Sequence, residues 1–343
     1  MNQEPVARHS PPSSTRRVLF WLRLLVSVGI LGYLASLFDW ARMTPVLGRL
    51  QGAYLWQAPL LMLGSVVIGS ARWKALLARF QIPLSLWDGC LLYQVGRFYS
   101  IVLPGVIGGD AVRVGMCAAR TRKPLLDIFA AAALERGLGV VAVLGMGGLA
   151  GFLLARDAPR EAGPQATQAL VAAAVVALAG LAASVMGLRW ATRQRDWGHQ
   201  RGPWFFPALF RMLHRVGRLP VRTWALTVVL GAVFQACDIL ATYYLACAIG
   251  LQLPVLVFFF VLPWVYLATV VPVSLGGLGV REGAMVLMLS RFGVVASDAI
   301  LLSFLVYLVR VATALPGRAA QFLKPRVGRA ERPAQVAQDA PSG

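Results

Sequence analysis

The residues of this chain able to do chemistry are the charged ones that interrupt its apolar stretches. Arg97, Asp110, Arg113, Glu135, Arg136, Asp238, Arg281, Glu282 and Arg310 all stand in such stretches, and Arg23 stands in another. A charge at the centre of a bilayer costs at least about 2.5–3.5 kcal/mol on insertion scales, so these residues need ionic partners or a watery cavity. Arg23 and Arg310 lie close enough to the ends of their stretches to snorkel. His9, His199 and His214 fall in polar segments, and Cys90, Cys117, Cys237 and Cys247 form no CxxC pair. That pattern predicts neither a zinc-type ligand set nor a Ser-His-Asp arrangement, so no metal, no cofactor and no catalytic residue is expected. The cysteines read as small core residues.

Two of the interrupted stretches, about 88–120 and 255–293, carry the same motif. The first reads Leu-Pro-Gly-Val-Ile-Gly-Gly-Asp-Ala-Val-Arg-Val-Gly over 103–115, and the second Val-Pro-Val-Ser-Leu-Gly-Gly-Leu-Gly-Val-Arg-Glu-Gly over 271–283. Without a gap, Pro104 matches Pro272, Gly108 and Gly109 match Gly276 and Gly277, Arg113 matches Arg281, and Gly115 matches Gly283. The register identifies an internal repeat of broken helices. In hydrocarbon, a helix break is tolerated only where protein or a cavity covers it.

A half-helix is expected to begin after each Gly-Gly pair, at about Asp110 and about Gly279, with Arg113 and Arg281 in its first turn. The unpaired N–H groups and positive dipole end would face the break, beside a cationic side chain. Glycine permits tight turns and the close approach of another backbone or a headgroup. Arginine suits a phosphate through its planar two-donor fork. Gly108, Gly109, Gly276, Gly277, Arg113 and Arg281 are therefore candidate substrate-binding residues, converging on an anion-binding cavity near mid-membrane. Asp110, three residues before Arg113, either caps and pairs within its helix or serves the substrate or a proton. Glu135 and Arg136 pair across the bundle, brace Arg113 or contact ligand. Glu282 is the acidic neighbour of Arg281, and Asp238 is protonated, paired with an arginine, or part of a proton relay.

The elements that must position these residues are membrane helices. The chain is 58% hydrophobic and only 14% charged, against about 25% charged in soluble domains. Full spans, each needing about 20 apolar residues, are expected at 18–38, 53–71, 126–154, 166–188, 223–248 and 298–317. The run 18–38 follows Arg16 and Arg17 as a signal peptide would, but exceeds the roughly 7–15 apolar residues of one and reads as a retained span. Three spans separate the motif copies, which inverts the second copy if both are re-entrant, a design common in secondary transporters.

With the N-terminus in the cytoplasm, 22 Lys and Arg fall on the cytoplasmic side: 3 in 1–17, 3 in 72–79, 3 in 120–123, 8 in 189–222 and 5 in 318–332. The external loops hold only 4, Arg42, Arg49, Arg156 and Arg160. This is the positive-inside pattern. The net charge of +19 is thus spread over short loops and not gathered for nucleic acid. Within the basic loop 189–222, residues 203–220 suit either an interfacial amphipathic helix on anionic lipid or a linker under the bundle. Tails at 1–17 and 318–343 are expected to be cytoplasmic and disordered, flanking a transmembrane domain over 18–317.

At these motifs the sequence resembles the flippase-like membrane family, which includes the transmembrane part of lysylphosphatidylglycerol synthases. The residues carrying the resemblance are Gly96 to Gly105, Gly108–Gly109–Asp110 with Arg113, Glu135–Arg136, and Val271 to Gly283, within 18–317. Where that family often has Asn, four residues before the first motif proline, this chain has Ser100, a candidate determinant of headgroup preference.

The resemblance implies a bacterial inner-membrane transporter that moves an anionic or glycosylated lipid, including polyprenyl- or hopanoid-linked ones, between leaflets. Its partners would be membrane lipids with phosphate-containing headgroups and lipid-biosynthesis enzymes. No soluble aminoacyl-transfer domain is expected in residues 318–343. Two other functions remain open: a membrane-embedded enzyme of lipid-linked sugar metabolism, and a non-transporting scaffold of a lipid-synthesis complex. Short external loops with only Asp39, Asp157 and Glu161 disfavour the enzyme, and the absence of a Walker motif disfavours direct ATP coupling.

Overall fold

The computed structural model describes residues 50–102, 108–156, 220–270 and 279–322, together with Gly32 and Gly48. The spans expected at 18–38 and 166–188, the loop 189–222 with its amphipathic segment 203–220, the pair Gly276–Gly277 and most of both tails lie outside this set. The described chain is helical throughout: α1 Gly52–Arg79, α2 Leu86–Val102, α3 Gly108–Thr121, α4 Leu125–Arg156, α5 Val221–Ala248, α6 Val255–Val270, α7 Val280–Ser290, α8 Ala296–Ala314 and α9 Pro316–Ala320. Four stretches are long and apolar enough to cross a membrane: α1, α4, α5, and α8 with α9. The protein is a multi-pass helical membrane protein.

Each repeat copy forms a pair of short helices. In the first, α2 and α3 have 17 and 14 residues, about 25 and 21 Å at 1.5 Å per residue and so short of a hydrocarbon core of about 30 Å. They pack antiparallel, with Tyr99 beside Val112 and Met116 in a small apolar cluster that includes Leu91 and Val95. The second copy pairs α6 with α7 in the same way. Phe260 near the middle of α6 meets Phe292 just past α7 edge to face, with ring centres 6.3 Å apart.

Close approach within the first pair depends on glycine. A side chain at Gly109 would collide with the Gly96 carbonyl and the Ser100 hydroxyl, while that hydroxyl donates to the Gly96 carbonyl at 2.8 Å. Helix α3 therefore starts at Gly108, not at Asp110. The two glycines form its first turn, against the backbone of α2, and Arg113 falls in the second turn. Overpacking of this kind costs about 1–3 kcal/mol. Gly109→Val is expected to lower the melting temperature of the detergent-solubilised protein, and an unchanged melt would show that α2 and α3 are loosely packed.

In the second copy Gly279, at φ 83°, caps α7 in a conformation that a side chain would strain. Its N–H donates to Glu282 Oε2 at 2.7 Å, supplying the returning half of a capping box. Arg281 lies in the first turn of α7, as the motif predicts.

Two apolar clusters hold the bundle. One joins Trp73, Leu76 and Leu77 of α1 to Leu92 of α2, Val114 and Cys117 of α3, and Ile128 to Leu138 on α4. The other joins Met62 of α1 and Ile239 and Leu245 of α5 to α6, α7 and α8, around Phe258 and Leu302. Between the clusters α1 carries Ser65, Gly69 and Arg72, and α5 carries Gly231, Gln235 and Asp238. All four cysteines are free thiols, with Cys117 buried and the others half-buried.

Candidate functional site

Arg113 stands at the centre of the polar residues on the first copy. Its guanidinium lies 4.4 Å from the centre of the Trp73 ring and 4.5 Å from that of Tyr93. One amino group reaches Glu135 Oε2 at 2.9 Å and Asp110 Oδ1 at 3.1 Å. Only 3% of Arg113 and 3% of Glu135 is exposed. Desolvated cation–π contacts contribute about 2 kcal/mol or more, and together with the ion pairs they hold the side chain rigidly. Tyr93 completes the cage by donating its hydroxyl to Glu135 Oε1 at 3.0 Å. The Tyr93 ring fits because position 69 is glycine, where a Cβ would sit 2.6 Å from the ring.

Arg72 corrects an expectation. The span at 53–71 was ended before it, and Arg72 was placed in a cytoplasmic loop, but α1 runs on to Arg79 and Arg72 is only 3% exposed. The apolar series continues past it through Trp73, Leu76 and Leu77 at helical spacing, and those side chains bury the next turns. Arg72 donates to the Glu135 carbonyl oxygen. It occupies a slot made by glycines: a Cβ at Gly231 would sit 3.1 Å from the guanidinium carbon, and Gly139 lies alongside.

Asp110 and Arg136 form the more open edge. Asp110 divides its carboxylate, with Oδ1 toward Arg113 and Oδ2 accepting from Arg136 Nε. The Arg136 side chain is 46% exposed and that of Asp110 22%. The alternatives for Glu135 and Arg136 thus separate: Glu135 braces Arg113, and Arg136 pairs with Asp110 across α3 and α4.

These groups wall a cavity of about 410 Å³ lined by Arg72, Tyr93, Asp110, Arg113, Glu135 and Arg136, with Gln235 and Tyr266 on the far side. Three guanidiniums face two carboxylates there, leaving one formal positive charge. Arg72 Nε and Arg113 Nε are buried N–H donors without an acceptor among the described residues. The excess positive charge of the cavity favours binding of an anion.

The sequence matches the lysylphosphatidylglycerol synthase TM region family over residues 20–317. The chain belongs to that family. No curated protein matches it. Membership in the lysylphosphatidylglycerol synthase TM region family assigns the chain a membrane lipid-related function.

The remaining candidate residues fall into a second cluster. Arg281 pairs with Glu282, donates through Nε to Ser303 at 3.1 Å, and lies 5.0 Å from the centre of the Tyr307 ring. Glu282 is 7% exposed and accepts from Ser303 as well. Arg113 and Arg281 therefore share an environment, each held by a glutamate and a tyrosine ring, but Arg281 does not line the cavity that holds Arg113. Tyr266 links the two, since it lines the cavity and feels the charges of Asp238, Arg310 and Arg281. Arg97 lies within electrostatic range of Asp238 and Arg310 and donates to the Met62 carbonyl and to Thr313 Oγ1. Gly109 and Ser100 meet at the contact between α2 and α3, and Gly108 opens α3.

Sequence reasoning missed Arg72, Tyr93, Gln235 and Tyr266 as cavity residues. For Tyr93 and Gln235 a signal was present: each is a polar or amphipathic side chain near the middle of an otherwise apolar helix.

Proposed function

We propose that the chain is a bacterial inner-membrane transporter that moves an anionic lipid between leaflets, holding the headgroup in the cavity of Arg72, Arg113 and Arg136. The observation that carries this reading is the 410 Å³ cavity with its excess guanidinium. A phosphate ester has the charge and the paired acceptors that suit an arginine fork. Arg72 and Arg113 are preorganised by glycine slots and aromatic rings, whereas Arg136 and Asp110 are placed to make and release contacts. The antiparallel pairs α2–α3 and α6–α7 act as re-entrant hairpins, and the sequence register between them supports an inverted repeat.

The test is leaflet exchange of a fluorescent phosphatidylglycerol in liposomes holding the purified protein. Exchange without bond cleavage supports transport. Chemical conversion of the lipid would point to the enzyme of lipid-linked sugar metabolism, and neither result would leave the scaffold.

The proposed orientation puts both termini and the loop 189–222 in the cytoplasm. Reassigning Arg72 to the bundle removes one of the basic residues counted for that side and leaves the large bias over the 4 external ones intact. A single cysteine at Gln200 is expected to react only with reagents reaching the cytoplasmic face. Labelling from outside alone would reverse the topology.

A further inference from the structure

A second cavity, about 520 Å³, adjoins the polar one along the outside of α3 and α4. Its walls are apolar, built from Val114, Leu126, Phe129 and Ala133 among others, yet at one end it shares Asp110 and Arg136 with the polar cavity. The Asp110–Arg136 ion pair is thus a common wall: polar chemistry lies on one side and a hydrocarbon-lined groove on the other. Phe129 is 50% exposed and Leu125 57%, so the groove opens away from the bundle. It runs from Leu125 to Arg136, 12 residues of α4 and about 16 Å between the first and the last, which is close to half of a hydrocarbon core of about 30 Å. Its outer end lies beside the turn carrying Arg120, Arg122 and Lys123, with Asp127 in the first turn of α4. The basic side chains there outnumber the acidic one, which favours anionic headgroups at the entrance.

We propose that the α3–α4 groove is a lateral portal that seats one acyl chain of an anionic glycerophospholipid, with Arg136 exchanging Asp110 for the lipid phosphate as the headgroup passes into the polar cavity. This rests on the transport reading above and names its entry route. Asp110 is suited to the exchange because it keeps Arg113 through Oδ1 when Oδ2 is released. The Arg136 side chain is 46% exposed and that of Asp110 22%, so a phosphate arriving along the groove can reach the arginine. The groove supplies what a headgroup site alone lacks, an apolar seat for the chain that remains in the bilayer.

The experiment uses the full chain in liposomes with two photoreactive lipids of identical acyl chains, a phosphatidylglycerol and a phosphatidylcholine. Labelling in the peptide containing Leu126 and Phe129 is expected to favour phosphatidylglycerol about tenfold, the ratio that about 1.4 kcal/mol gives. Labelling around Leu149 and Phe152, exposed farther along α4, is expected to be equal for both. Arg136→Gln should abolish the preference, and Ala133→Trp, which fills the groove, should abolish labelling there while leaving Leu149 and Phe152 labelled. Equal groove labelling by the two lipids, or groove labelling that survives Ala133→Trp, overturns the portal. The portal fails alone if leaflet exchange continues without the preference. If the preference appears without leaflet exchange, the groove stands as a lipid site and the transport reading fails.

Discussion

Glu135→Gln is expected to destabilise the protein by about 3–5 kcal/mol, the usual cost of leaving a buried charge without its partner. Arg113 is only 3% exposed, so water can replace little of what Glu135 supplies. Asp110 remains at 3.1 Å, but it also serves Arg136. Arg72, whose guanidinium meets the Glu135 backbone carbonyl, would lose the nearest carboxylate as well. Thermal unfolding in detergent measures the effect. Because removing both partners of a buried pair by apolar groups of similar size is often nearly neutral, Arg113→Met combined with Glu135→Met should recover most of the loss. A Glu135→Gln variant as stable as the parent would mean that the pair is not ionic.

Arg136→Gln is expected to act on transport and not on folding. Its side chain is 46% exposed, and Asp110 keeps Arg113 as a partner when Arg136 is neutralised, so the stability loss should be small beside that of Glu135→Gln. A hydrogen bond to a charged group contributes about 1.5–3 kcal/mol, so leaflet exchange of phosphatidylglycerol should fall about tenfold to a hundredfold. Arg136→Lys should recover part of the rate, since it keeps the charge and loses the two-donor fork. An unchanged rate in folded Arg136→Gln would remove Arg136 from the headgroup route and leave only the buried arginines to carry it.

The two variants separate roles that adjacent sequence positions hide. Glu135 and Arg136 are neighbours on α4, yet one points into the cage around Arg113 and the other lies at the open edge with Asp110. Consecutive helical residues differ by about 100° around the axis, so adjacency in sequence guarantees different surroundings. Both were candidates from the cost of charge in an apolar stretch, and that cost says nothing about direction.

What the amino-acid sequence determined by itself was whatever depends on composition and local spacing. Apolar runs of sufficient length placed α4, α5 and α8 to within three residues at their ends and fixed the start of α1 while ending it eight residues early, because a membrane helix must satisfy its own backbone and declares itself by length. The matched motifs located both short helix pairs, and they lie within the residues 20–317 that match the family. The tertiary structure decided which charges are held and which are open. Arg72 looked like the start of a basic loop, but glycines at 139 and 231, distant in sequence, make the slot that buries it. Gly109 looked like a break lining a ligand site, but it is the contact that lets α3 lie against Gly96 of α2. Arg113 and Arg281 occupy equivalent motif positions, but Arg113 lines the polar cavity and Arg281 binds Ser303 on α8. In each case the deciding contact comes from another helix, and the side-chain volumes that meet across a helix interface are not encoded in the spacing of either helix alone.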